Sequence, residues 1–176
     1  MTFILLCTII AENNLLNQEM IKILTEKEIL NAQKLWGNGI VEIGKEYTNK
    51  QDYKLLAKDF IQRHYGYNEG IVLFKPTLAS VVQFRDTFEK ALSYFVAGND
   101  KYPEDQGFAI RPWTKVVFEN SGIIVMENNA IVMGNYFFTD TNGQEVKVEY
   151  TFGYFLDESG QVKIHLHHSS LPFELK

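Results

Sequence analysis

The chain has 176 residues, a length that suits one domain with a single core. Hydrophobic residues make up 45% and charged residues 22%, which excludes a disordered chain. The formal net charge is -5, and Lys and Arg form no patch. Binding to nucleic acid is therefore not expected, because neutralising phosphates needs clustered cations. The 13 Phe and 9 Tyr indicate a well-filled aromatic core or an aromatic pocket.

Residues 1–24 are predicted to be an N-terminal extension. The apolar run from Phe3 to Ala11 is shorter than the roughly 20 residues that span a bilayer, so we expect no membrane partner. No basic residue precedes the run, which fits a truncated targeting segment and a packed extension equally well. Cys7 is the only cysteine, so an internal disulfide is excluded. We expect a cytoplasmic or plastid location, or a secreted or periplasmic one if residues 1–20 are a signal remnant.

Helical periodicity dominates the first half of the chain. A capping box at Thr25 and Glu28 predicts the start of a helix. The apolar side of this helix comprises Ile29, Ala32, Leu35 and Trp36. Gly37 and Gly39 are predicted to interrupt it, with residues 40–47 as a continuation or a bent second piece. Further helices are predicted over residues 52–64 and 84–97, with Gly98 as the stop.

Strand patterns dominate the second half. A compact apolar run predicts a first strand at residues 71–74, and a polar surface loop is predicted over residues 99–107. Alternating segments then predict strands over residues 113–119, 123–126, 130–139, 146–155 and 162–169. The Asn142-Gly143 pair marks a tight hairpin, because it tolerates positive φ. Helices followed by an antiparallel meander indicate an α+β fold, with the helices covering one face of the sheet.

The last predicted strand holds three of the four histidines. Alternation places His165, His167 and Ser169 on one face, and Val162, Ile164 and Leu166 on the other. Two histidines at this spacing could share one zinc ion, but the local sequence offers no third ligand. Alternatively, a histidine with a hydroxyl two residues on can accept and return a proton near neutral pH.

Six segments, taken together, resemble the iota-class carbonic anhydrases. The likeness covers about residues 28 to 173, and the segments occur in the same order and spacing as in that family. They are residues 74–77, 91–96, 112–116, 134–140, 146–155 and 167–172, the last reading His-His-Ser-Ser-Leu-Pro.

The resemblance implies a fold and an assembly. The family is related to the association domain of calcium/calmodulin-dependent kinase, so we expect its cone-shaped, nuclear-transport-factor-like and SnoaL-like fold over residues 25–176. This fold packs N-terminal helices on a curved antiparallel sheet. The resemblance also implies a homodimer, and an apolar outer face on the last strand would agree with one.

The resemblance further implies the reversible hydration of carbon dioxide to bicarbonate. The family's pocket residues correspond to Thr77, Tyr94, His167 and Ser169, with His168 and Ser170 as the fallback pair. Hydroxyl groups would hold a water molecule and the developing bicarbonate, while His167 or a tyrosine–histidine relay removes the proton. Because the sequence offers no three-ligand set, we expect no cofactor, with manganese or zinc less favoured. Activation of the water molecule would then come from its positioning and from stabilisation of the forming anion.

Two other functions remain open from the sequence. A ketosteroid-isomerase-like proton transfer would need a carboxylate in the pocket. Glu149 is the main carboxylate inside a predicted strand, and Lys147 on the same face suggests a solvated position. The stronger alternative is a non-catalytic module of the same fold, acting in homo-oligomerisation or in binding a small ligand.

Overall fold

The computed structural model describes residues 23–175, so the apolar run Phe3–Ala11 lies outside the described residues. Three α-helices and one short 3-10 helix are present in this part of the chain: α1 (Glu26–Thr48), α2 (Tyr53–His64), α3 (Phe88–Val96) and the 3-10 helix Phe108–Ile110. None of the described helices combines the length and the apolar character needed to cross a membrane.

The start of α1 confirms the predicted capping box. The Thr25 side chain accepts a hydrogen bond from the backbone N–H of Glu28, and the Glu28 carboxylate accepts one from the backbone N–H of Thr25 at 2.9 Å. Leu24, which we assigned to the extension, is buried in the core, and its backbone N–H donates a hydrogen bond to the backbone carbonyl of Glu127.

The predicted interruption of α1 is wrong, because the helix is continuous through both glycines. Gly39 serves close packing: a Cβ atom there would lie 2.5 Å from the Phe60 ring of α2. Leu35, predicted on the buried side, is 50% exposed, whereas Gln33 is buried and bonds to Asn120 and to the hydroxyl of a tyrosine of the sheet.

The helix predicted over residues 84–97 begins later than expected. Thr87 is its N-cap, and the helical residues are Phe88–Val96. Phe84 is exposed, whereas Arg85 is buried, so the chain between the first strand and α3 forms a loop with a charged anchor.

Five strands form one sheet: β1 (Leu73–Lys75), β2 (Lys115–Met126), β3 (Asn129–Thr139), β4 (Glu145–Leu156) and β5 (Val162–Ser170). Their order is β1-β5-β4-β3-β2. The antiparallel meander is confirmed for β2 to β5, while β1 adds to the edge in parallel with β5, so the sheet is mixed. The two segments predicted at 113–119 and 123–126 are one strand, since residues 120–122 form a bulge within β2.

A second bulge changes the faces of β5. Gly153 pairs with Leu166, but the next residue, Tyr154, pairs with Ile164, so His165 is an extra residue in the ladder. Ile164 is consequently buried on the core side, together with His167. The strict alternation that we predicted for this strand is wrong, because a bulge inverts the faces on one side of it.

Helices cover one face of the sheet, and Trp36 of α1 lies at the centre of the core. The indole packs mostly edge-on against rings from α2 and from three strands. These rings are Phe60, Phe118, Tyr136, Phe138 and Phe152. Polar side chains collect at the side of this aromatic core that faces β1 and α3.

The β2 bulge leads to a stability prediction. A Cβ atom at Gly134 would overlap the backbone of β2, with the Asn120 Cα only 2.9 Å away, whereas nothing lies within 4 Å of a Cβ atom at Gly122. We expect Gly134→Ala to lower the free energy of unfolding by about 1–3 kcal/mol, because backbone atoms must move. Gly122→Ala, the matched control, should change it little. Urea denaturation of both variants measures the difference, and equal stabilities would contradict the described register.

Candidate active site

A cavity of about 170 Å³ lies beside the aromatic core. All four residues expected from the sequence line it: Thr77, Tyr94, His167 and Ser169. The remaining wall is almost entirely apolar or aromatic, and includes Trp36, Phe74, Phe95, Phe108, Trp113, Phe138, Val148 and Leu171. Its dimensions suit a small ligand that is partly apolar.

Three elements bring the four residues together. Thr77 follows β1 by two residues, Tyr94 lies on α3, and His167 and Ser169 lie two residues apart on β5. The parallel pairing of β1 with β5 sets Phe74 opposite His167, so the loop that carries Thr77 starts beside the histidine. The candidate site therefore depends on a sheet contact that the sequence did not predict.

The His167 ring is enclosed by aromatic rings and is only 3% exposed. It stacks on Phe74 at 4.5 Å between ring centroids, and meets the edge of Phe152 at 4.1 Å. Burial, with a smaller contribution from the neighbouring His168, holds the pKa of His167 well below its usual value. The imidazole is therefore neutral at neutral pH.

Both ring nitrogens of His167 have polar neighbours. Nδ1 lies 2.9 Å from the hydroxyl of Tyr65, which also accepts a hydrogen bond from the Trp36 indole N–H at 3.0 Å. Nε2 faces the cavity, 3.4 Å from the Tyr136 hydroxyl and 3.5 Å from the Ser169 hydroxyl. These last two distances are long for hydrogen bonds, so a bound oxygen atom could replace either contact.

The hydroxyl groups of the site keep their protons at neutral pH. Burial raises the pKa of Tyr136 far above its usual value, although hydrogen bonds with Ser169 and Thr77 offset part of the effect. Burial also raises the pKa of Tyr94 to about 12, against a hydrogen bond with the Leu78 backbone and the positive charge of Arg111. Among the described residues that line the cavity, Arg111 is the only formally charged one, and it is exposed.

The fallback pair lies on the outer face of the sheet. His168 is exposed, and the Ser170 hydroxyl donates to Glu149 at 3.1 Å. Glu149 is therefore outside the cavity, and no other carboxylate of the described chain lines it. The bulge places His165 on the outer face as well, where its ring stacks on Phe155.

The alternative of a zinc ion shared by two histidines does not hold, because His165 and His167 lie on opposite faces of the sheet. Within residues 23–175, no three His, Cys, Asp or Glu side chains are grouped so that they could hold a metal ion. The possible metal-ligand atoms that face the cavity are hydroxyl oxygens and the nitrogens of a single imidazole.

Sequence reasoning missed several residues of the site. Tyr136 belonged to a segment that carried the family resemblance, but we assigned it no role. Tyr65 was not considered, since it follows α2 and lies 102 residues before His167 in the chain. The histidine motif on β5 was a signal in the sequence, but the partners of its central histidine could be found only from the fold.

A buried ionic cluster joins the loops beside the cavity. Arg85 is fully buried and makes two bonds to Asp105, at 2.6 and 2.9 Å, and one longer bond to Glu104. Glu104 in turn accepts backbone N–H bonds from residues 80–82, which hold its pKa at about 2 despite partial desolvation. The Ser93 hydroxyl of α3 donates to Asp105 at 2.6 Å. The cluster thus ties the loop that carries Thr77 to α3 and to the loop before Phe108.

The chain matches the family described as metal-independent carbonic anhydrase over residues 27–171. The chain belongs to this family. It is 45% identical to a metal-independent carbonic anhydrase from a Nostoc species over 154 residues, which cover 86% of this chain and 75% of that protein. The activity of this chain is the reversible hydration of carbon dioxide. The description of the family supports the expectation that no metal cofactor is used.

Solved structures agree with the fold. A cyanobacterial iota-carbonic anhydrase, complexed with bicarbonate, is 43% identical with a TM-score of 0.85, covering 87% of this chain and 95% of that one. A Xanthomonas campestris protein, described as a calcium/calmodulin-dependent protein kinase II association domain, is 22% identical with a TM-score of 0.54, covering 81% and 84%. The second match supports the fold alone, and the predicted α+β cone is confirmed.

The ionic cluster leads to a second prediction. Asp105→Asn leaves the Arg85 guanidinium buried without its bidentate partner, so we expect a loss of about 3–5 kcal/mol in the free energy of unfolding. The control Asp86→Asn removes an exposed carboxylate paired with Lys90, which should cost less than about 1 kcal/mol. Guanidinium denaturation compares the two, and a similar small loss in both would show that the cluster does not hold the loops.

Proposed function

We propose that Thr77, Tyr94, His167 and Ser169 form the centre at which this carbonic anhydrase hydrates carbon dioxide. The observation that supports the assignment is their convergence on one cavity, although they come from a loop, a helix and a strand. We add Tyr136, which lines the same cavity and whose hydroxyl lies 3.4 Å from Nε2 of His167.

Carbon dioxide binds against the aromatic wall in this proposal. The gas is apolar and small, so rings such as Phe74, Phe108 and Phe138 provide a dry surface for it. The relative solved with bicarbonate shows that the product binds to a protein of this family, and we infer that the same cavity accepts it here. Arg111, at the wall, provides a positive charge that favours an anionic product.

The hydroxyls of Thr77, Tyr94 and Ser169 hold the reacting water and stabilise the charge that develops on the oxygens of the substrate. A zinc enzyme lowers the pKa of its bound water to about 7, and nothing in this site replaces that effect directly. Catalysis must instead come from prearranged donors in a cavity that excludes water, where each donor acts more strongly than in solution. The expected consequence is a modest turnover.

Removal of single hydroxyls tests the assignment. We expect Thr77→Val, Tyr94→Phe and Ser169→Ala each to lower kcat for hydration by roughly 10²-fold, the usual effect of removing one preorganised donor. The matched control is Ser170→Ala, since this serine is adjacent in sequence but faces away from the cavity. Stopped-flow measurement of carbon dioxide hydration, with and without a chelator, provides the rates.

Full activity in the three cavity variants would refute the assignment. Loss of activity in Ser170→Ala, with Ser169→Ala unaffected, would transfer the site to the outer face. A chelator should change none of these rates, and inhibition by it would contradict hydration without a metal.

We also propose that the protein is a homodimer that pairs through the outer face of the sheet. Our sequence argument relied on Ile164 in that face, but this residue is part of the monomer core. A different apolar row crosses the outer face in register, formed by Leu73, Leu166, Ile131 and Ile124. Sedimentation should give the mass of two chains, and Ile131→Lys should give that of one. A parent that sediments as a single chain would contradict the proposal.

A further inference from the structure

The polar groups behind His167 form a hydrogen-bond chain with one direction. The Trp36 indole N–H can only donate, and it points at the Tyr65 oxygen 3.0 Å away. The same oxygen lies 2.9 Å from Nδ1 of His167. Because Trp36 must be the donor in the first hydrogen bond, the choice of donor in the second one, between Tyr65 and His167, is restricted.

Among the described side chains, the Tyr65 hydroxyl can donate its hydrogen bond to one acceptor, Nδ1 of His167. Tyr65 is 1% exposed, and within residues 23–175 the structure gives its hydroxyl only these two side-chain partners. If Nδ1 carried a proton, both neighbours would donate to the Tyr65 oxygen, and the hydroxyl hydrogen would be buried without an acceptor. A buried donor left unsatisfied disfavours that arrangement by a ratio of roughly 5 to 150. The Tyr65 hydroxyl therefore donates to Nδ1, which leaves the ring proton on Nε2.

We propose that Trp36 and Tyr65 are positioning residues that hold His167 in the neutral tautomer with its proton on Nε2. In this tautomer His167 donates a hydrogen bond into the cavity, towards a substrate oxygen, and does not take the proton from water. The proposal deepens the catalytic centre described above and rests on it. It replaces the role of base that we expected for His167 from the sequence.

The proton of the attacking water then moves through the hydroxyl groups. The water oxygen bonds to the carbon of carbon dioxide, and one carbon–oxygen π bond opens. A hydroxyl of the Thr77, Tyr136 and Ser169 group accepts a proton from the water while it passes its own proton to the opened oxygen. The product is neutral carbonic acid, which ionises to bicarbonate and a proton on reaching solvent. His167 Nε2–H stabilises the charge that builds on that oxygen during the transfer.

Nuclear magnetic resonance of ¹⁵N-histidine-labelled protein tests the tautomer directly. The full chain has four histidines, and the signals of the His167 ring are identified by their loss in His167→Gln. We expect Nε2 to show the shift and one-bond coupling of a protonated nitrogen, and Nδ1 those of an unprotonated one, across the neutral pH range. The titratable or charged groups around the ring are Tyr65 behind it, Tyr136, Tyr94 and Arg111 on the cavity wall, and His168 next on β5.

Tyr65→Phe should change this spectrum. Without the hydroxyl, Nδ1 loses its donor, so we expect signals from both tautomers and a kcat that falls several-fold. The matched control is Tyr154→Phe, which removes another fully buried tyrosine hydroxyl from a residue that does not line the cavity. The control should leave both the His167 signals and kcat unchanged.

Two replacements of His167 separate a donor from a base. A glutamine amide can donate a hydrogen bond but cannot accept a proton at neutral pH, whereas leucine does neither. We expect His167→Gln to keep a kcat at least about tenfold above that of His167→Leu, in line with the effect of a single preorganised donor. Equal activities in the two variants would overturn the donor role.

The outcomes also separate this inference from the proposed centre. A proton found on Nδ1, or a ring that titrates in step with hydration near neutral pH, overturns the inference and leaves the centre in place. Full activity in Ser169→Ala and Thr77→Val refutes the centre, whatever the tautomer. If Tyr65→Phe does not fold, the spectrum of the parent protein still decides.

Discussion

The enclosure of one imidazole by aromatic rings determines how this site can act. Phe74 stacks on His167 and Phe152 meets its face edge-on, so the ring has little contact with water and stays uncharged. In an apolar enclosure, the direction of each hydrogen bond matters more than in water, because every unmatched donor is costly. Because of this cost, the hydrogen bonds from Trp36 through Tyr65 determine which ring nitrogen of His167 carries the proton.

The same constraint explains the architecture around the cavity. Trp36 is both the centre of the aromatic core and the first donor of the chain, so packing and polarity are coupled through one side chain. The parallel strand β1 brings Phe74 over the histidine. The ionic cluster of Arg85, Glu104 and Asp105 then fixes the loops beside the cavity, and its guanidinium lies 5.8 Å from the centre of the Tyr94 ring. Apart from Arg111, the described side chains that line the cavity carry no formal charge.

Local signals in the sequence predicted a large part of the fold. The capping box at Thr25, the hairpin before β4 and the helices-then-meander order depend on residues close together in the chain, and all were confirmed. The errors arose where contacts between distant parts of the chain decide the local structure. The sequence predicts breaks at Gly37 and Gly39, but the helix is continuous, and the close approach of Phe60 explains the glycine at position 39. The sequence predicted neither bulge, because the alternation of apolar and polar residues does not show where a strand contains an extra, unpaired residue.

The four site residues came from the family resemblance, and the structure places all of them on one cavity. Their roles could not be predicted in the same way. The state of a histidine depends on what lies behind it, and Tyr65 is more than a hundred residues away in the chain. Likewise, the bulge at His165 places that histidine on the face of the sheet opposite His167. Sequence patterns identified the residue types, and tertiary contacts determine their chemistry.

The most direct test of hydration by neutral, metal-free groups is the exchange of ¹⁸O between labelled carbon dioxide and water, followed by mass spectrometry at chemical equilibrium. The protein would first be stripped of metal and its metal content measured. The account predicts that this protein accelerates loss of the label, and that buffer concentration does not change the rate. The Thr77→Val/Ser169→Ala double variant should exchange no faster than solution without protein. A stripped protein that is inactive, and that regains exchange only when zinc or manganese is added, would contradict the account.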